Sequence, residues 1–470
     1  MRYMKKTTVK AILTLGIFYF VFLGAEYLFD NMMAYATDSD GVVLAQSYIL
    51  GISVIGFLLY APLERLMTQT VQKIVRMAGM VVLIVSLFVI CGHISYAVTM
   101  AAGLLAFLLL GYFGSAIHYM VTRVLDDRTI LARTVGVAYA FGILLQFLNN
   151  NLIHSDWAEA VFLAIATLLM VLLFYNQMQE TEDGVVVSEE TNEPTDKRTL
   201  WIGLLFIGIV ALITFVFATL DNAVTLTHAS GSVDIGQWPR LLLACSGLLA
   251  GFLYDWNQRA YMNIIMYCVM MLSTICVVVI SCGGPFLLGL LVFYLSAGFF
   301  AVYFATGFME LSYYSRLPKF WAGLGRAVNN FCAVITASVS LQLLHSPSYV
   351  TVVIALILFA LTSVLIFVYH NQLHRLQAEK ERERSRQEET ADVFALFAEE
   401  FHLTEREQEV MRCLLESDGQ ISDLAVQLSM SRAALYRHIG SLNEKTNTTA
   451  SLGLIKFYYS WQNTRNRGGI

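Results

Sequence analysis

Three ionisable side chains lie within or close to the ends of long apolar stretches: Glu26, His118 and Glu310. A charged group in lipid is costly, so a membrane-spanning helix retains one mainly where it binds a ligand or passes a proton. Glu26 precedes Asp30 by four residues, which puts both carboxylates on one face of a helix. We predict a ligand site that contains Glu26, Asp30, His118 and Asp221. The alternative for His118 is a hydrogen bond between two packed helices.

Enzyme chemistry is not indicated. Seven cysteines stand singly, without CxxC spacing and without a histidine pattern beside them. No nucleophile with a base, no set of metal ligands and no phosphate-binding loop rises above chance. We therefore predict that the chain is not an enzyme and takes no metal and no cofactor.

The composition places most of the chain in a membrane. Hydrophobic residues make up 57% of the 470 positions, and the mean hydropathy is +0.62. One soluble core cannot bury that much apolar surface. Stretches long enough to cross a bilayer recur twelve times. The predicted spans are 9–29, 42–61, 74–92, 97–121, 134–150, 157–175, 200–220, 238–254, 261–281, 285–309, 327–344 and 349–369.

The basic residues predict the orientation of these spans. Sixteen Lys and Arg residues lie in the segments or adjoining span ends on the side where the first span begins, whereas the opposite side holds one, Arg240. Loops rich in Lys and Arg stay in the cytoplasm. We predict a multi-pass protein of the cell inner membrane with both termini in the cytoplasm.

The spans fall into two groups of six. The acidic break 176–199 is the longest and predicts a cytoplasmic linker between residues 1–175 and 200–369. The pair Asp30-Asn31 recurs as Asp221-Asn222, 191 positions later, and the loop arginines Arg123 and Arg133 recur 193 positions later as Arg316 and Arg326. Such an offset favours two related halves.

Between the eighth and ninth spans, Gly251, Asp255 and Arg259 follow one another at intervals of four. This pattern resembles the G-x-x-x-D-x-x-x-R loop of the major facilitator superfamily. The resemblance implies two six-helix halves, with the carboxylate near a helix N-terminus and the arginine within reach. The equivalent first-half loop has Gly56 and then Glu64, without the aspartate, so the motif there is degraded.

After the last span, residues 370–402 mix acids and bases at helical spacing, which predicts a solvated helical linker. From Leu403 the chain resembles the LuxR-type helix-turn-helix family, whose L-T-x-R-E-x-E-V start appears here as residues 403–410. Thr404 and Glu407 have the spacing of a capping box. The fold class that we predict is all-α: a major-facilitator-like membrane bundle plus a four-helix LuxR-type domain at 403–470.

The third helix of that domain, 432–445, is the predicted recognition helix, with Ser431 as its cap. In this resemblance its side chains contact the major groove and the phosphates of promoter DNA. The predicted DNA-binding residues are Ser431, Arg432, Ala434, Leu435, Tyr436, Arg437 and His438. The family also implies a homodimer through the last helix, Thr449 to Trp461.

Two functions follow from these parts. We favour a membrane-embedded transcriptional regulator that senses a small molecule or a membrane state and binds promoter DNA through its C-terminal domain. The alternative is a solute transporter of the major facilitator type with an appended regulatory DNA-binding domain.

Overall fold

A computed structural model describes residues 6–125, 127–182, 197–229, 239–344, 347–416, 424–425 and 427–468. All of the regular structure in these ranges is helical. The chain divides into two compact units, Met1–Leu373 and His374–Ile470.

Twelve helices begin within the described part of the first unit, which we call the membrane unit. They are α1 Lys6–Ala34, α2 Ser39–Leu66, α3 Gln69–Cys91, α4 Tyr96–Val124, α5 Leu131–Leu152, α6 Asp156–Glu182, α7 Lys197–Ala229, α8 Pro239–Tyr254, α9 Met262–Ser281, α10 Phe286–Ser312, α11 Pro318–Leu344 and α12 Ser348–Glu400. We call the end at which α1 begins the N-terminal side.

Ten of these helices are long and apolar enough to cross a membrane, and the described apolar part of α8, Leu241–Tyr254, is shorter. The chain is therefore an all-α, multi-pass membrane protein. The predicted eleventh span, 327–344, begins too late. The helix α11 starts at Pro318, so Arg326 lies inside it and does not end the preceding loop.

Exposed apolar side chains on α3 identify a lipid-facing surface. Ile74, Val81 and Val85 are 62%, 55% and 54% exposed. Their spacing of seven and four residues places them on one face of the helix. On the other side, Leu83, Leu87 and Ile90 are buried against the bundle, so α3 lies at its edge.

Glycines allow helices to cross at short distance. A Cβ atom at Gly136 of α5 would lie 2.8 Å from the Cα atom of Gly251 of α8, and one at Gly251 would lie 2.7 Å from the carbonyl oxygen of Ala132. Only a residue without a side chain fits where two backbones come this close. This contact joins the first six helices to the last six on the N-terminal side.

A polar contact joins the halves at a second place. The amide of Asn330 on α11 donates a hydrogen bond of 3.0 Å to the hydroxyl oxygen of Ser53 on α2, and both side chains are buried. A buried polar group is stable only when it is paired, so this bond favours the observed packing of α2 on α11.

The second unit, which we call the C-terminal unit, contains α13 Glu405–Glu416, α14 Arg432–Thr446 and α15 Ala450–Gly468. Its core includes Phe394 and Phe397 from the final turns of α12, which pack with Tyr458 of α15. Because residues 370–402 carry many charges, the mean hydropathy of that segment does not reveal these two aromatic residues.

Candidate functional site

A buried ionic network closes the N-terminal side of the membrane unit. Asp255 follows α8, and its two carboxylate oxygens accept hydrogen bonds from the backbone N–H groups of Ala132 and Arg133, at 3.0 and 2.7 Å. These donors belong to the first turn of α5, where a helix has unpaired N–H groups and a positive dipole end. A second-half carboxylate therefore caps a first-half helix.

Arg259 completes this network. Its guanidinium lies 3.3 Å from Asp255 and 3.1 Å from Glu310, and it donates a 2.7 Å hydrogen bond to the carbonyl oxygen of Arg128. Asp255 and Glu310 are 4% and 2% exposed. We call Asp255, Arg259 and Glu310 the Asp255 latch. The predicted position of Asp255 near a helix N-terminus, with the arginine within reach, is confirmed.

The equivalent carboxylate of the first half makes no such crossing. Glu64 accepts hydrogen bonds from Arg76 at 2.5 Å and from Tyr112 at 3.0 Å, on helices α3 and α4 of its own half. The degraded first-half motif is thus a local ion pair. The two equivalent loops differ, because one joins the halves and the other stabilises one half.

His118 lies in the interior of the first half. Its Nδ1 atom lies 2.7 Å from the carbonyl oxygen of Gly114, which can only accept, so Nδ1 carries the proton. In the neutral ring, Nε2 then accepts from the hydroxyl of Tyr19 at 3.3 Å. The observed geometry is the interhelical hydrogen bond that we considered as the alternative to ligand binding.

A cation from the other half reaches the same region. Arg326 of α11 lies with its guanidinium carbon 4.8 Å from the centre of the Phe22 ring on α1. The Phe22 ring lies 5.9 Å from the Phe18 ring, which in turn lies 5.7 Å from the His118 ring, so Arg326 is close to His118. The rings of Tyr19 and Tyr139 meet edge to face. From the sequence, Arg326 is a loop cation just before the span 327–344, so its position over Phe22 was not predicted.

The other predicted ligand residues lie elsewhere. Glu26 accepts a 2.9 Å hydrogen bond from Gln46 of α2. Glu26 is seven residues beyond Tyr19, a rise of about 10 Å along α1. One buried oxygen of Asp30 has no hydrogen-bond partner within the described residues. The side chain of Asp221 is outside the described part of the chain. The structure does not bring Glu26 and His118 into contact.

The C-terminal unit shows the two predicted helix caps. Thr404 donates its backbone N–H to Glu407 at 2.8 Å, and Glu407 donates its own to the hydroxyl of Thr404 at 3.4 Å. Ser431 accepts from the backbone N–H of Ala434 at 3.2 Å and so caps α14. Between α13 and α14, Leu424 and Ala425 are helical and buried.

One face of α14 is available to a partner. Arg432, Tyr436 and Arg437 are exposed, and Tyr436 is 57% exposed. Ala434 and His438 are partly buried. Leu435, which we included among the DNA-binding residues, is completely buried in the core of the unit and cannot contact DNA. Its prediction as a contact residue is wrong, because an apolar residue at this position packs inward.

Glu407 ties α13 to α14. Its carboxylate accepts hydrogen bonds of 2.6 Å from Lys445 and from Ser441, and Glu407 is 4% exposed. Burial alone would raise the pKa of Glu407, but these bonds and the one from Thr404 hold it at about 2.

The depressed pKa of Glu407 predicts a loss of stability in acid. The ionised form stabilises the fold above the ordinary pKa near 4.5, and this contribution is lost as the pH falls from there towards 2. We expect the protection of α13 and α14 amides against hydrogen exchange, relative to the intrinsic exchange rate at each pH, to fall in the whole protein over this range. Glu407→Gln retains a capping-box residue without the charge, so its exchange should depend less on pH. Equal pH dependence in both proteins would contradict this role.

No family model matches the chain, and no curated protein resembles it in sequence. Solved structures do match its fold. The human organic anion transporter MFSD10 (TETRAN) is 14% identical, with a TM-score of 0.50 over 79% of this chain and 100% of that one. An auto inhibited POT family peptide transporter is 12% identical, with a TM-score of 0.52 over 78% and 97%. The chain therefore has a major-facilitator-like fold, whereas the LuxR-type domain stays a prediction from its residues.

Proposed function

We propose that this chain is a solute transporter of the major facilitator type in the cell inner membrane, with an appended C-terminal domain that binds promoter DNA. The observation that carries the proposal is the fold, since two transporters align with the chain over nearly their whole lengths. In this proposal both termini are cytoplasmic, so the N-terminal side faces the cytoplasm. The fold therefore favours the transporter, which was the alternative from the sequence, over the regulator.

The contacts between the halves suggest how access to a solute would change. The Asp255 latch and the contact of Gly136 with Gly251 hold the halves together on the N-terminal side. For a solute to leave on that side, Asp255 must release the first turn of α5. An ionic contact suits this step, because water can replace its hydrogen bonds when the halves part.

A regulator without transport is the second candidate. The exposed cations of α14 and its Ser431 cap support DNA binding by the C-terminal unit. On α15, Leu452 and Tyr459 are 62% and 48% exposed, which suits pairing with a second copy. In this reading, solute binding between the halves alters the DNA affinity of the C-terminal unit. A tenfold effect requires about 1.4 kcal/mol of coupling.

Profiles of small molecules in cells and medium separate the two candidates. A deletion strain and a strain that restores the gene should differ in how at least one solute is divided between cells and medium. A change in transcripts without any change in solute distribution would favour the regulator and contradict the transporter.

The DNA-binding part predicts an effect of Arg437→Ala. If Arg437 contacts a guanine with two hydrogen bonds, its loss costs about 1 to 3 kcal/mol of binding free energy. The measurement is a gel-shift titration of the whole protein in nanodiscs with DNA from upstream of its gene. Lys456→Ala removes an exposed charge from α15 and is the matched control. If the parent, Arg432→Ala and Arg437→Ala bind this DNA equally, α14 is not the recognition helix.

A further inference from the structure

An arginine lies deep in the membrane unit without an acidic partner. Arg326 is eight residues beyond Pro318, the first residue of α11, which is a rise of about 12 Å. A guanidinium at such a depth costs several kcal/mol unless a partner or a water-filled space surrounds it. Within the described part of the chain Arg326 forms no ion pair and no hydrogen bond, and its recorded contact is with the Phe22 ring. The energetic cost of this charge is therefore not offset by a carboxylate.

The ring contact leaves the N–H donors of the guanidinium without acceptors among the described residues. A guanidinium close to a phenyl ring is attracted by the electrons of the ring, and its five N–H donors lie in the plane of the group. Arg326 is partly exposed, whereas Phe22 is 1% exposed, so open space lies on the side of the arginine. Guanidinium donors that lack acceptors suit a planar, two-oxygen acceptor such as a carboxylate.

A neutral donor lies in the same region. Tyr139 of α5 packs against Tyr19, and its hydroxyl forms no hydrogen bond with a described residue. The neighbouring hydroxyl of Tyr19 is already engaged by His118. Among the described residues, the region therefore offers one cation without an acidic partner and one phenol without a hydrogen bond, beside the unpaired hydroxyl of Ser115 on α4.

The charges nearby do not cancel Arg326. His118 donates its Nδ1 proton to the carbonyl oxygen of Gly114, and Glu26, further along α1, accepts from Gln46 of α2. The next acids on the N-terminal side, Asp255 and Glu310, both pair with Arg259. An anion entering between the halves meets a positive potential, and a cation is repelled by it.

We propose that Arg326 and Tyr139 bind the carboxylate of a small organic anion between the two halves. The inference rests on the proposed function, because it assumes that a solute enters there, and it adds the chemical class of that solute. Arg326 supplies two charge-assisted hydrogen bonds and Tyr139 a third. His118 is a positioning residue that holds Tyr19 beside this site.

Aromatic acids and their amides test the charge preference. The whole protein in nanodiscs is titrated calorimetrically with benzoate, phenylacetate and salicylate, with the corresponding amides, and with benzylammonium. We expect at least one acid to bind at least ten times more tightly than its amide. Arg326→Gln should weaken the binding of that acid by about 10- to 100-fold, and Tyr139→Phe should weaken it by a smaller factor. Lys319→Gln, which removes a charge from the first turn of α11, should leave binding unchanged.

Thermal stability of the empty protein gives a second measurement. A charge retained for a ligand destabilises the empty fold, so Arg326→Gln should melt at or above the temperature of the parent. A lower melting temperature would assign Arg326 a structural role and overturn the inference. Tighter binding of an amide or of benzylammonium, or an acid preference that survives in Arg326→Gln, would also overturn it.

Those results would remove the proposed anion site but leave solute transport open. If the protein transports only an uncharged solute, the proposed function is retained without this site.

Discussion

Asp255→Asn is expected to lower the free energy of unfolding of the membrane unit by about 2 to 4 kcal/mol. The amide replaces one of the two oxygens that accept from Ala132 and Arg133, so one N–H group of α5 loses its partner. It also leaves Glu310 as the remaining acidic partner of Arg259 in the latch. Unfolding by sodium dodecyl sulfate in mixed micelles measures the difference.

Asp38→Asn is the matched control for this substitution. Asp38 caps α2 through the backbone N–H of Gly41, but it is exposed and crosses to no other helix. Because asparagine caps a helix about as well as aspartate, the control should change stability by only a few tenths of a kcal/mol, roughly the scatter between these caps. Equal changes in both variants would show that the Asp255 latch does not join the halves.

Gly251→Ala is expected to destabilise the membrane unit by about 3 kcal/mol. The new Cβ atom would lie 2.7 Å from the carbonyl oxygen of Ala132 and 3.0 Å from the Cα atom of Gly136. Both are backbone atoms of α5, so the clash is relieved only when the two helices separate. Separation also draws Asp255 away from the first turn of α5, which breaks the latch.

Gly51→Ala on α2 is the control for this second prediction. Its Cβ atom would have a single neighbour at 3.9 Å, on Val334, which is an ordinary contact. Alanine in a helix then stabilises by about 0.5 to 1 kcal/mol relative to glycine. If Gly251→Ala also stabilises, the contact of α5 with α8 is not as close as described. The double variant Gly251→Ala/Asp255→Asn should lose less stability than the sum of the two single losses, because both changes open the same contact between α5 and α8.

Local patterns in the sequence were sufficient to predict several features of the structure. The spacing of Thr404 and Glu407 predicts a capping box, which α13 has, because both partners lie in one turn. The loop pattern of Gly251, Asp255 and Arg259 predicts a carboxylate beside a helix end. Which helix it caps could not be predicted, because the first turn of α5 lies more than a hundred residues earlier.

Other features depend on packing that spacing does not reveal. A charged residue such as Arg326 is typical of a loop, and only the three-dimensional structure places it over Phe22. Phe394 and Phe397 stand among charges, and they join a core because α13 and α15 supply its other side. Helical geometry predicts that Glu26 and Asp30 share one face of α1. The residue that donates a hydrogen bond to Glu26 is Gln46, which belongs to another helix and is not indicated by this spacing.

Solute counterflow in proteoliposomes tests the proposed transporter most directly. The vesicles contain the purified whole protein and are loaded with an unlabelled solute that binds it, and the labelled solute is added outside. The account predicts transient, saturable accumulation of label, and slower accumulation with Gly251→Ala, whose halves no longer close on the N-terminal side. Tight binding of the solute with no accumulation above protein-free vesicles would contradict transport and leave a sensor that carries a DNA-binding domain.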